Sequence, residues 1–102
     1  MHDRRYCVYI MTNALNSVLY PGVTTDLKHR AFQHKNGEGG IFTRKYNATK
    51  LVYYEVADDA STAIARERQI QDGSRQTKIE LITSLNPEWQ DLYDRLEGTA
   101  SR

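Results

Sequence analysis

Three features of this 102-residue sequence predict a small α/β (α+β) domain, a three-stranded antiparallel sheet flanked by helices. Residues 6–12 are apolar on both alternating faces, with Tyr6, Val8 and Ile10 on one and Cys7, Tyr9 and Met11 on the other, as in a strand covered on two sides. Residues 17–23 and 50–56 are two further short runs rich in β-branched and aromatic side chains. Most of what remains reads as helices bracketed by capping residues.

The first strand ends at turn material, residues 13–16, which makes 17–23 its hairpin partner. Pro21 lacks a backbone donor and fixes φ, so this second strand belongs on a sheet edge or carries a bulge. The third strand, 50–56, then pairs on the other side of the first. Thr25 or Asp26 caps a helix to about Lys35, stopped by Asn36-Gly37, and Asp59 or Ser61 caps another to about Gln71, stopped by Asp72-Gly73. Ser74 starts a helix with Ile79, Ile82 and Leu85 on one side. Asn86 as cap and Pro87 at the first position open a last helix carrying Trp89, Leu92, Tyr93 and Leu96. Residues 36–49 read as a loop, and its glycines do not have the spacing of a phosphate-binding Walker loop.

The length fits one domain, residues 1–97, followed by a frayed tail, 98–102. A single cysteine, Cys7, lies in an apolar run; it excludes an intrachain disulfide and suits a reducing compartment. There is no apolar run of the ~20 residues a membrane span requires, and no signal-peptide pattern follows Met1, so a cytoplasmic protein without membrane association is expected. Net charge is +1, but residues 1–57 hold eight Lys/Arg against four Asp/Glu, and 58–102 six against nine. That split suits one phosphate-facing side.

Several polar residues stand where packing alone would not put them. Glu67 lies on the same stripe as Ala60, Ala63, Ile64 and Ile70, so it faces the core and needs an arginine, backbone donors or a metal as partner. Arg30 and His34 are four apart and share a helix face with Leu27 and Ala31. Tyr9 and Tyr20 fall on adjacent strands at a separation that brings them roughly opposite one another on one face. In the loop, Arg44 and Lys45 precede Tyr46, a pattern suited to phosphate contact beside base stacking. Lys28 adds a further cation on the first helix.

These pieces occur in a telling order: Val-Tyr-Ile at 8–10, Leu-Tyr-Pro-Gly-Val-Thr at 19–24, Asp-Leu-x-x-Arg at 26–30, His-Lys at 34–35, Ala-Arg-Glu at 65–67 and Asn-Pro-x-Trp at 86–89. In that order they resemble the GIY-YIG nucleases over about residues 6–92, and most closely the short, free-standing, UPF0213-like members without an attached DNA-targeting domain. Two positions depart from the pattern: Cys7 stands where the first motif usually has glycine, and Pro21 where the second has an aliphatic residue.

The resemblance implies a metal-dependent endonuclease cutting DNA phosphodiester bonds, with structure-selective or weak specificity and a place in DNA repair or recombination. It implies Glu67 as ligand of Mg²⁺, with Mn²⁺ as substitute, and a motif tyrosine, Tyr9 or Tyr20, as the base that deprotonates water. One carboxylate completed by waters and substrate oxygens suits Mg²⁺. Arg30 would steady the phosphate and His34 help with the proton; Lys28, Arg44, Lys45 and Tyr46 would contact nucleic acid. Asn86 matches the family's C-terminal asparagine only loosely, and its capping position explains it without catalysis. A phenol is about one-thousandth ionised at neutral pH, so the base needs roughly 4 kcal/mol of help from neighbouring cations or a second base. A monomer or weak homodimer is expected. The alternatives are a nucleic-acid-binding module that has lost catalysis, or a subunit docking onto a larger repair nuclease through Trp89 and the acidic last helix.

Overall fold

The computed structural model describes residues 5–38 and 40–100. The predicted sheet is present: β1 (Tyr6–Thr12) is central, with β2 (Leu19–Thr24) and β3 (Lys50–Ala57) antiparallel on either side. The alternation of β1 divides the core as the sequence suggested. Val8 and Ile10 face a cluster with Val52, Ala63, Ile70 and Ile82, while Tyr9 and Met11 face Leu27, Ala31, Leu51 and Leu92. Both faces of a three-stranded sheet are therefore covered, which keeps the central strand buried from Val8 to Thr12.

Helix α1 (Leu27–Lys35) is capped by the Asp26 carboxylate, which accepts from the His29 backbone N–H; its Leu27, Ala31 and His34 are buried on the Tyr9 face. Helix α3 (Ala60–Asp72) is capped by Asp59 and α4 (Arg75–Leu85) by Ser74, both with the side-chain oxygen accepting from the backbone N–H three residues on. Both lie on the opposite face. Ala63, Ile70 and Ile82 supply their contacts, whereas Ile64 and Leu85, placed in the apolar stripes by periodicity, are each half exposed.

Two expectations are corrected. The loop after α1 contains a short helix, α2 (Ile41–Lys45), between Gly40 and a left-handed turn at Asn47. The last helix, α5, is Tyr93–Ala100, starting six residues after Pro87, where the Asn-Pro pair suggested its first position, and running past Gly98, where a frayed tail was expected. Asn86 instead ends α4 and does not cap α5. Its buried side chain donates to the carbonyls of Val52 (3.0 Å) and Gln90 (2.8 Å) and accepts from the Gln90 N–H (3.0 Å), tying the segment after α4 to β3. Tertiary bonds have taken the side chain that local capping would have used. Asp91 continues the seam, accepting from the Leu51 and Tyr93 N–H groups and from the Lys35 ammonium, so α1, β3 and the start of α5 are joined at one point. No described helix is long and apolar enough to cross a membrane.

Candidate active site

The register sets the site. Tyr9 stands opposite Gly22, and Tyr20 stands opposite Met11. The two tyrosines therefore share a face, as predicted, but are offset by two positions and not opposite one another. With no side chain on Gly22, the Tyr9 ring lies directly over it: an ideal Cβ there would sit 2.5 Å from both Cζ and the hydroxyl of Tyr9. Because β2 is the edge strand, this carries the phenol toward the rim of the sheet.

Helix α1 delivers the next two groups to that phenol. His34 Nε2 lies 3.2 Å from the Tyr9 hydroxyl, and Arg30 Nη1 donates to the same oxygen at 3.4 Å. Tyr20 meets His34 edge-on, ring centroids 5.8 Å apart, and the Tyr9 ring is 5.9 Å from it. The imidazole thus sits between the two phenols. Glu67 approaches from α3, which packs chiefly over β1 and β2 on the other face, and its charge acts on the Tyr9 phenol. Tyr9, Arg30 and His34 are thus joined by hydrogen bonds, Tyr20 packs against His34, and Glu67 is linked to them only through the action of its charge on the Tyr9 phenol.

Their burial differs: Tyr9 and His34 are 1% and 2% exposed, while Tyr20, Arg30 and Glu67 are half-buried around them. Desolvation raises the Tyr9 pKa above its ordinary value and outweighs the hydrogen bond and charge of Arg30, which pull it down; Tyr20 and Glu67 add to the rise. Desolvation also lowers the His34 pKa, with Arg30 adding to the effect. At neutral pH the pair is therefore a neutral phenol beside a neutral imidazole. Since Arg30 can only donate, the Tyr9 oxygen accepts from it and is free to give its own proton to Nε2. His34 Nδ1 is buried and has no hydrogen-bond partner among the described residues.

Glu67 makes no hydrogen bond or ion pair among the described residues. Its neighbour Arg66 is committed elsewhere, to Glu55 on β3. A half-buried carboxylate left without a protein partner fits a hard divalent cation that keeps most of its water shell. No group of three or more His, Cys, Asp or Glu side chains is assembled for a metal among the described residues, so a zinc-type cage is not available.

A family model of the GIY-YIG catalytic domain matches residues 5–80. The chain belongs to the GIY-YIG family. This GIY-YIG chain is 37% identical over 81 residues to a UPF0213 protein of Staphylococcus saprophyticus, covering 79% of its own length and 96% of that relative. It is 40% identical over 81 residues to a UPF0213 protein of Haloquadratum walsbyi, with 79% and 89% covered. Among solved structures it resembles the solution NMR structure of a UPF0213 protein from Bacillus halodurans, with a TM-score of 0.55 and 26% identity over 85% of this chain and 92% of that one. It is thus similar to UPF0213 proteins over nearly their whole length, and its domain is of the GIY-YIG nuclease type.

The two departures from the GIY-YIG pattern are absorbed by the sheet. Pro21 is buried opposite Ile10 on the edge strand, where its missing donor costs no central pairing. Cys7 is half-buried against the Tyr9 side of the core, and burial pushes its thiol pKa up, away from reactivity.

The remaining candidates lie apart from the five. Lys28 lines a shallow groove with Asp26, His29, Phe32 and Tyr93 on another side of α1. Arg44 and Lys45 are exposed on α2, and the Lys45 ammonium lies 5.4 Å from the centroid of the Tyr46 ring. Asn86 is buried in the seam beside β3 and bonds none of the five. Sequence reasoning gave no role to the ammonium of Lys35, which donates to the Thr49 carbonyl and pairs with Asp91. It also missed the Arg66–Glu55 pair. The signal for both was a charge on the sheet-facing half of its helix.

Proposed function

We propose that the protein is a metal-dependent endonuclease that hydrolyses DNA phosphodiester bonds. The observation that supports this reading is the bonding of Tyr9 to both Arg30 and His34, with Tyr20 against His34 and with Glu67, which has no hydrogen bond or ion pair among the described residues, acting on the Tyr9 phenol through its charge. Tyr9 takes the role of base, because its hydroxyl is the one bonded to both Arg30 and His34.

Burial argues against a preformed phenolate, so the proton moves in relay. As water attacks phosphorus in line, the breaking O–H bond gives its proton to the Tyr9 oxygen, and the Tyr9 proton passes to Nε2 of neutral His34. An imidazolium results, and the 3′ oxygen leaves with the electrons of the broken P–O bond and takes a proton from solvent to become the 3′-hydroxyl, after which the imidazolium returns its proton to solvent. Tyr20 flanks the imidazole and limits the positions open to the water. Arg30, half-exposed, turns its guanidinium onto the phosphate and neutralises charge that grows in the transition state. Glu67 would hold Mg²⁺, or Mn²⁺ in its place, which when bound supplies charge stabilisation to the phosphate and its leaving oxygen. Products with 5′-phosphate and 3′-hydroxyl ends follow.

Arg44, Lys45 and Tyr46 offer exposed cations and a ring for the flanking strand, and Lys28 adds charge along α1. A domain of this size has little surface for reading bases, which favours structure-selective or weakly specific cutting, as repair or recombination requires. The burial of Tyr9 favours one second reading, a nucleic-acid-binding module without catalysis.

Purified protein incubated with end-labelled single-stranded, branched and duplex DNA, with and without Mg²⁺, separates the two. The endonuclease reading expects Mg²⁺-dependent products with the stated ends. Salt-sensitive binding without nicking would leave the binding module.

A further inference from the structure

The unassigned ion pair beside the site has the geometry of a rotational stop for α3. Arg66 grips Glu55 of β3 with two nitrogens, Nε to Oε2 at 2.8 Å and Nη2 to Oε1 at 3.2 Å, while its Nη1 donates to Gln69 on its own helix at 2.7 Å. The buried Tyr53 hydroxyl donates to the same Glu55 carboxylate from the strand below. Every atom of the fork is thus engaged from β3 and from α3.

Such a clamp matters because the apolar seat of α3 is thin. Its buried residues are Ala63 and Ile70, and Ile64 is half exposed. A methyl and one branched side chain fix the distance of a helix from a sheet better than they fix its rotation about its own axis. Side chains on a helix end roughly 5–6 Å from the axis, so a turn of about 20° moves a carboxylate by roughly 2 Å. A site tolerates misplacement of only about 0.5–1 Å. Arg66 and Glu67 are consecutive and project about 100° apart. Fixing the first against β3 aims the second away from β3, toward β2 and the Tyr9 phenol.

We propose that Arg66, held by Glu55 and Tyr53, is a positioning residue that aims Glu67 and so sets the affinity of the site for its divalent cation. The proposal rests on the metal-dependent reading above.

Charge and position give opposite signs, which makes the idea testable without turnover. Removing a guanidinium next to Glu67 strengthens cation binding if charge alone matters. Loss of aim weakens it. Mn²⁺ affinity, followed by electron paramagnetic resonance well below the melting temperature, is measured for wild type, Arg66→Met, the double variant Glu55→Gln/Arg66→Met, Tyr53→Phe and Glu67→Gln. The double variant removes the carboxylate that Arg66→Met would leave unpaired, and Tyr53→Phe disturbs the clamp if the others fold poorly. At least a fivefold loss of affinity is expected in both Arg66 variants, a twofold to threefold loss in Tyr53→Phe, and no specific binding in Glu67→Gln. Unchanged or tighter binding in the folded Arg66 variants, with Glu67→Gln still abolishing it, overturns the positioning role while leaving the metal reading in place. Unchanged binding in Glu67→Gln overturns both.

Discussion

Gly22 and Tyr9 cannot both carry a side chain in the space they share. The Tyr9 ring fills the position of a Gly22 Cβ to within 2.5 Å, and the backbone of Gly22 is not among those with positive φ. Room for the phenol, and not a special backbone conformation, is what glycine supplies in the Tyr-Pro-Gly motif.

Gly22→Ala is therefore expected to push the ring off its seat and away from His34. Overpacking of this kind costs about 2 kcal/mol, which in a domain of this size lowers the melting temperature by roughly 8–16 °C. The thermal scan checks the cost. Loss of cleavage in the protein that remains folded checks the displacement, and full activity in that fraction would show that Tyr9 need not lie over Gly22.

Acid should act on the site through His34. Its folded pKa lies below the ordinary value of 6.5, so the unfolded chain binds the proton first. The group contributes stability that is complete above about pH 6.5 and is lost as pH falls below it toward the folded value. Denaturant midpoints measured between pH 7 and pH 5 should fall in the wild type and fall less steeply in His34→Phe. The cleavage rate should drop as pH falls through the folded value, at the acid end of that window, because a protonated imidazole cannot take the Tyr9 proton. A rate independent of pH there would remove His34 from the proton path.

Asn86→Ala separates structure from chemistry. Its side chain satisfies the Val52 and Gln90 backbone from within the fold, so its loss is expected to cost about 2–3 kcal/mol. Cleavage per folded molecule should stay close to wild type. A large drop in rate at unchanged stability would return Asn86 to the active site.

The sheet was legible because β1 alternates two apolar sets and Pro21 marks an edge, and α1, α3 and α4 were legible because Asp26, Asp59 and Ser74 cap them locally. Asn86-Pro87 misled for the converse reason. An asparagine before proline looks like a cap, yet this one spends its hydrogen bonds on a strand distant in sequence. The short α2 was hidden among glycines that argue for a loop. Within the site, the residue types and the pairing of Arg30 with His34 followed from spacing. The action of the Glu67 charge on Tyr9 did not, because α3 lies on the face of the sheet opposite the Tyr9 side chain, and only the path of Tyr9 across Gly22 carries the phenol toward the rim.

Single-turnover cleavage of a labelled DNA by Tyr9→Phe and Glu67→Gln, with Mg²⁺ titrated and folding verified by circular dichroism, bears most directly on the convergence of these side chains into one hydrolytic centre. Both variants should remain folded and lose cutting by at least a hundredfold, with Glu67→Gln no longer responding to Mg²⁺. Wild-type rates in either variant would contradict the shared site.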